Sequence, residues 1–351
     1  MLIDPYPLAR PWLMVMEPEV AHALSIRGLK TGLVRNPSKY DDPILATDVL
    51  GIRFANPIGS AAGFDKDGEV PNAVFGLGFG FAEVGTVTPR PQAGNPKPRI
   101  FRLPTERGVI NRLGFNSGGM AAVARNLRRK KATRPIGINV GANRDSADRI
   151  ADYVVCIQEL GPHADYLAVN ISSPNTPGLR ALQSRDALQE LIARVLAARD
   201  GLERRPPLLV KVAPDLTERD VTDIADIALT SGLDGLIVGN TTVSRPDGLL
   251  GESATEDGGL SGRPLFALST RILADFFAAT GGKIPLIGTG GISSGTDAYA
   301  KIRAGASLIQ LYTALFYEGP GLVPRMKREL AHLLRRDGFG SVAEAVGTAG
   351  R

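Results

Sequence analysis

The sequence predicts an α/β fold, a (β/α)8 TIM barrel with a short N-terminal helical extension. Two observations predict it. Eight short apolar runs each close on Gly, Asn, Thr, Lys or a neighbouring polar residue, and segments with helical spacing lie between most of them. Such alternation implies a parallel sheet, and eight repeats favour a closed barrel over an open doubly wound sheet.

In chain order the runs are 57–62, 79–86, 136–141, 166–170, 208–212, 235–240, 285–290 and 308–312. They are nearly continuous in Val, Ile, Leu, Ala and Gly, as expected of strands covered on both faces. The helical segments 185–199, 218–230, 264–279, 296–304 and 322–334 follow, several starting near Ser, Thr or Asp caps. Residues 1–40 do not fit the repeat. They hold two apolar helical patches, 12–16 and 21–26, split by Glu17-Pro18-Glu19. This divides the chain into an extension, 1–40, and a barrel domain, 41–351. The pattern leaves two roles open for the extension: a lid packed on the barrel, or an amphipathic pair that docks on a membrane surface or lines an apolar channel.

No stretch reaches the roughly 18 consecutive apolar residues of a membrane-spanning helix. The start, Met1-Leu2-Ile3-Asp4-Pro5, has neither signal- nor transit-peptide character, so a mature chain beginning near Met1 is expected. The single Cys156 cannot form an internal disulfide and sits in a helical stretch, 151–160, as a packed bystander; a reducing compartment fits. Net charge is only +5, and its one dense block, 125–131, reads as a solvated helix face without interleaved aromatics. No nucleic-acid partner is expected.

Barrel enzymes work at the carboxyl ends of their strands. Those ends carry Ala62-Gly63-Phe64-Asp65-Lys66, Thr86, Asn139, Asn170, Lys211 and Asn240-Thr241. After the fourth strand, Asn170-Ile171-Ser172-Ser173-Pro174-Asn175-Thr176-Pro177-Gly178 sends two carboxamides and two hydroxyls into a turn that the prolines stiffen. No metal-ligand cluster appears among these ends. His22, His163 and His332 fall outside them, so no imidazole base and no Ser-His-Asp triad is expected. The seventh and eighth strands end in Gly288-Thr289-Gly290-Gly291 and Tyr312-Thr313, each before a helix, which suits a ligand phosphate. Lysines at strand ends, Lys66 and Lys211, need anionic partners. A flavin nucleotide suits one and a carboxylate substrate the other. Carboxamides at Asn111, Asn170, Asn175 and Asn240 suit a ring of alternating N–H and C=O groups, a pyrimidine.

With these residues in place, the sequence resembles the dihydroorotate dehydrogenase family, specifically its class 2, membrane-associated, quinone-linked enzymes. The resemblance covers nearly the whole chain. It rests on residues 61–68, 83–89, 94–99, 111–116, 170–180, 240–242 and 258–262. It implies that FMN is held by Ala62, Gly63, Lys66, Thr86, Asn139, Asn170, Lys211, Gly239, Gly262, Gly291, Tyr312 and Thr313. It implies that dihydroorotate is bound by Lys66, Asn111, Arg112, Leu113, Gly114, Phe115, Asn170, Asn175, Asn240 and Thr241. Ser173 is the implied base, taking the C5 proton as hydride leaves C6 for flavin N5, with Thr176 and Phe115 shaping its proton relay. Cysteine at that position would mark class 1, so Ser173 supports class 2. The resemblance also turns the extension toward a quinone channel, with Arg102 near its inner end.

One departure is Gly239, where threonine is expected in many relatives; a backbone N–H would have to replace a hydroxyl contact to FMN. The implied protein is a monomer bound peripherally to the cytoplasmic face of a bacterial inner membrane. Three other readings compete. A tRNA dihydrouridine synthase would need a loop cysteine, and Cys156 is badly placed for it. A non-redox phosphate-binding barrel would carry no flavin, and a non-catalytic barrel would not need two desolvated lysines beside a serine.

Overall fold

A computed structural model describes residues 6–32, 41–129 and 132–349. The start of the chain, residues 33–40 of the extension, and Lys130 and Lys131 of the basic block lie outside the described residues.

Eight parallel strands close into a barrel: Ile58–Asp65, Phe81–Val87, Ile136–Val140, Tyr166–Asn170, Leu208–Val212, Gly235–Val238, Leu286–Thr289 and Leu308–Leu311. Each pairs with the next, and the last closes on the first with Ile309 opposite Ile58. Ile136–Val140, Tyr166–Asn170 and Leu208–Val212 are buried at every position, because helices cover them outside and side chains fill the barrel inside. Phe81 meets Phe54 edge-on at 5.3 Å and Tyr166 at 6.2 Å. Gly59 and Gly137 make room for them, since a Cβ there would lie 2.2 Å from the Phe81 ring and 2.0 Å from the Tyr166 ring. Phe54 and Val49 come from a short hairpin, Thr47–Val49 with Ile52–Phe54, that packs into this inner cluster.

Outside the barrel, the five helical segments predicted from spacing form, but of these only the helices starting at Glu218 and Gly295 have a side-chain cap, from Thr217 and Ser294. Glu218–Thr230 starts in a reciprocal capping box between Thr217 and Asp220. Arg149–Leu160 starts on Asp148, whose carboxylate accepts the Ala151 N–H at 3.0 Å, and it buries Cys156 completely.

Two features were not anticipated from the sequence: the short hairpin and a three-stranded antiparallel sheet. The sheet pairs Ile100–Leu103, Gly108–Asn111 and Gly259–Gly262. It joins the excursion after the second barrel strand to the one after the sixth, and so delivers Asn111 and Gly262 to the same mouth. Four-residue strands carry too little alternation to announce themselves.

The extension forms two helices, Tyr6–Val15 and Pro18–Lys30, packed against the barrel. Arg99 holds Glu19 with Nη2 at 2.7 Å, and Lys97 adds a second cation at 3.0 Å. Arg102 donates to the carbonyls of Leu13, Met14 and Met16 at 3.2, 3.0 and 2.5 Å, serving acceptors that the end of the first helix leaves unpaired. Trp12 and Val15 nevertheless stay 71% and 81% exposed. No helix among the described residues is long and apolar enough to cross a membrane.

Candidate active site

A cavity of about 510 Å³ runs from the strand ends to the two N-terminal helices. Its inner wall holds Ala62, Gly63, Lys66, Thr86, Asn170, Ser173 and Lys211; its rim holds Asn111, Leu113, Gly114, Phe115, Asn175, Asn240, Thr241, Gly262, Gly291, Tyr312 and Thr313. Three of the residues named for FMN or dihydroorotate do not line it. Asn139 stands behind Thr86 and accepts its hydroxyl at 2.6 Å. Arg112 turns outward to Glu256 at 2.7 Å and stacks over Phe101 at 4.5 Å. Gly239 sits at φ +107, where a Cβ would lie 2.8 Å from the Thr289 carbonyl, and its N–H is donated to Val212 at 3.2 Å. A threonine there would be strained, and that N–H serves the barrel rather than a ligand.

Both strand-end lysines are desolvated. Lys211 is buried with Glu83 Oε1 at 3.9 Å, and burial lowers its pKa against the pull of that carboxylate. Burial also brings Lys66 down from 10.5 to about 8, opposed by Asp67 and Glu19. The neighbour of Lys66 is an imidazole. His22 Nε2 lies 3.5 Å from its Nζ, and His22 Nδ1 lies 3.2 Å from the Tyr312 hydroxyl. Burial, then the Lys66 charge, holds His22 down at about 3, so its ring is neutral. The expectation that all three histidines lie outside the site is therefore corrected. His22 reaches it on the extension helix Pro18–Lys30, where strand-end reasoning does not look.

Carboxamides and hydroxyls line up behind the lysines. Asn240 Nδ2 donates to Ser172 Oγ at 2.8 Å, Ser172 Oγ to Asn170 Oδ1 at 2.7 Å, and Asn170 Nδ2 to Thr86 Oγ1 at 3.0 Å. Ser173 is 6% exposed, and its Oγ accepts the Asn175 N–H at 3.2 Å. Arg180 clamps this loop, donating to the Ser172 carbonyl at 3.0 Å, to Asp215 at 2.9 Å and to the Thr241 carbonyl at 3.1 Å. Glu83, His22, Arg180 and Asp215 escaped the sequence reading. Only Glu83 had left a signal there, as a charge inside an otherwise apolar run.

The glycine turns form a cradle. Gly291 has φ +77 and a Cβ there would lie 2.5 Å from the Phe266 amide nitrogen; Gly262 has φ +88, with the Arg107 carbonyl at 2.3 Å. The helix after the seventh strand, Gly295–Arg303, is less available than expected. Its Gly295 N–H already goes to Glu329 at 2.7 Å and its Asp297 N–H to Ser294 at 3.0 Å. An anion here is met by the glycine turn before the helix rather than by those first-turn donors.

Two desolvated cations, a row of carboxamides and a glycine cradle fit a planar, anionic flavin, and they define a barrel enzyme of the flavin-binding kind. The chain belongs to the dihydroorotate dehydrogenase family, whose sequence model matches residues 44–334. It is 58% identical over 350 residues to dihydroorotate dehydrogenase (quinone) of Rhodospirillum rubrum, covering 99% of this chain and 95% of that one. It is 53% identical over 343 residues to the mitochondrial dihydroorotate dehydrogenase (quinone) of Mus musculus, covering 95% and 87%. Among solved structures it superposes with TM-score 0.92 on DHODH from Eimeria tenella in complex with ferulenol, at 43% identity, covering 95% of this chain and 96% of that one.

Proposed function

We propose that this protein catalyses the FMN-dependent oxidation of (S)-dihydroorotate to orotate with a quinone as electron acceptor, a step of de novo pyrimidine biosynthesis. The observation that carries this reading is one cavity in which Ser173, two desolvated lysines and a row of carboxamides meet an apolar passage between the N-terminal helices. When bound, FMN would supply the hydride acceptor and the route by which electrons reach the quinone.

The chain's own residues supply the rest. Lys211, Thr86, Asn170, Ala62 and Gly63, which line the cavity, would hold the ring of FMN. Gly262, Gly291, Tyr312 and Thr313 would hold its phosphate end, with Asn139 and Gly239 outside the lining. Lys66 holds the substrate carboxylate, and an anion beside it offsets the cost of burying its charge. Asn111, Asn175, Asn240 and Thr241 bond the ring N–H and C=O groups, while Leu113, Gly114 and Phe115 close the rim and Arg112 braces that loop through Glu256.

Ser173 takes the C5 proton. It has no hydrogen-bonded carboxylate or imidazole to activate it among the described residues, so the proton must move on as it arrives. The Thr176 hydroxyl is buried without a partner, which supports its place in that relay.

In the extension, the helices Tyr6–Val15 and Pro18–Lys30 form the wall of the quinone passage. Leu13, Ala21, Leu24 and Leu29 line its apolar end, and Arg102 stands at its inner end with a buried Nε that has no partner. Exposed Trp12, Val15 and Val20, flanked by Arg10 and Arg27, suit a monomer attached peripherally to the cytoplasmic face of a bacterial inner membrane.

The test is anaerobic stopped-flow absorbance with L-dihydroorotate, followed by a short-chain ubiquinone, fumarate or NAD in parallel. Bleaching of the flavin band with recovery on quinone alone is expected. Recovery on fumarate or NAD would overturn the acceptor, and no bleaching would overturn the substrate.

A further inference from the structure

Lys301 lies completely buried on the helix Gly295–Arg303, behind the site rather than in its wall. Its ammonium has little to hold. One hydrogen bond runs from Nζ to Ser269 Oγ at 2.7 Å, and the Phe266 ring centre lies 5.2 Å away. Asp297 is the carboxylate that acts on it, yet Asp297 already accepts the Ser293 N–H at 2.8 Å and the Ser293 hydroxyl at 2.9 Å. A buried cation without a paired anion is costly, and packing alone would be served as well by an apolar side chain of similar length.

On the far side of Ser269 is the glycine turn after the seventh strand. Ser269 belongs to the helix Phe266–Thr280 and is itself completely buried. An ammonium only donates, so Ser269 Oγ accepts from Lys301 and keeps one proton to give. The Gly290 carbonyl takes it at 2.9 Å. The other acceptor within reach, the Phe266 carbonyl at 3.1 Å, is already served by the Thr270 hydroxyl at 2.7 Å. In a trans peptide the C=O and the following N–H point in opposite directions. With the Gly290 carbonyl drawn back onto Ser269, the Gly291 N–H points away from that helix, toward the cavity that both glycines line. The carbonyl fixes the direction of these links. Lys301 adds a full charge at their head, where low-dielectric surroundings leave its field largely unscreened and each bond polarises the next.

We propose that Lys301 is a positioning residue for the cofactor: its charge, passed through Ser269 and the Gly290–Gly291 peptide, strengthens the grip of that turn on the phosphate of FMN. The inference rests on the FMN reading above. It gives the buried ammonium an anion that the chain does not itself supply.

The experiment measures the preference for FMN over riboflavin, which lacks the phosphate. FMN-loaded protein is dialysed to equilibrium against mixtures of the two flavins, and the bound share of each is read by chromatography, so no flavin-free state is needed. Lys301→Met should cut the wild-type preference by roughly 10- to 100-fold, the worth of a hydrogen bond to a charged group. Ser269→Ala breaks the relay and should cut it roughly fivefold, the worth of a neutral bond. The absorption spectrum of bound FMN should stay unchanged in both, since neither residue lines the cavity. Lys301→Met no longer buries a cation, so it should fold at least as well as wild type, and lost folding cannot account for a lost preference.

A preference within about twofold of wild type in either variant would overturn the proposal. So would a shifted flavin spectrum, which marks a deformed pocket rather than a weakened hold on the phosphate. If Ser269→Ala does not fold, Lys301→Met decides. Should wild-type protein hold no flavin, or show no preference for FMN, the FMN reading falls and takes this inference with it. A wild-type preference that survives in Lys301→Met removes only the role of Lys301.

Discussion

Raising the pH should weaken substrate binding along a curve set by Lys66. Burial brings this amine from 10.5 to about 8, which corresponds to about 3 kcal/mol disfavouring its charge in the substrate-free protein. A substrate carboxylate beside Nζ returns part of that, so the charged and neutral forms should differ in affinity by roughly 10- to 100-fold, the smaller figure allowing for residual solvent screening. The sign follows from linkage. Below the depressed value Lys66 is protonated and binds the anion at full strength; above it binding must take up a proton, and affinity falls toward tenfold per pH unit.

The assay is the half-saturating L-dihydroorotate concentration for anaerobic flavin bleaching, followed from about pH 6.5 to about pH 9.5. It should be flat at first and rise above about 8, near the lowered value for Lys66. Lys66→Met should raise it by the same 10- to 100-fold at neutral pH, roughly, and abolish the Lys66 contribution to the slope. The variant should also unfold at higher temperature without substrate, since it no longer buries a cation. A wild-type profile flat to the end of the range, or the same slope in Lys66→Met, would refute the assignment.

Three further outcomes follow. Ser173→Ala should keep its flavin but slow dihydroorotate-driven bleaching by roughly 10²- to 10⁴-fold, the usual worth of a positioned base; unchanged bleaching removes Ser173 from that role. Lys301 is completely buried, donates to Ser269 at 2.7 Å, and is lowered by burial to about 7. The unfolded chain therefore binds more protons between that value and the ordinary lysine range, and wild-type stability should rise with pH there. Lys301→Met should gain stability on the order of 3 kcal/mol at pH 7, an advantage that fades as pH climbs, and chemical denaturation at two pH values checks both parts. Phe81→Ala opens a hole between Phe54 and Tyr166 at the base of the barrel, and it should cost about 3–5 kcal/mol; a loss below about 1 kcal/mol would mean that the inner cluster collapses to fill it.

The barrel was legible because each of its strands is buried on both faces. Burial forces continuous apolar runs, and runs of that kind separated by helical spacing admit few arrangements. Lys66, Lys211, Asn170 and Ser173 were legible for a related reason. A polar group at the end of an apolar run has no packing role, so it stands out. The small sheet of Gly108–Asn111 and its partners was not legible, since four-residue strands paired across distant loops leave almost no periodicity.

By itself, then, the sequence determined the barrel and most of the side chains that line the cavity at its strand ends, because these follow from periodicity and from polarity at strand ends. Tertiary structure alone decided the rest. It brought His22 from the extension to within 3.5 Å of Lys66, turned Arg112 out to Glu256, and set Glu83 against Asn139. Each of these depends on which groups meet across the fold and which way each hydrogen bond points. Neither is carried by spacing along the chain, because a hydrogen bond acquires its direction only from the partner at its other end.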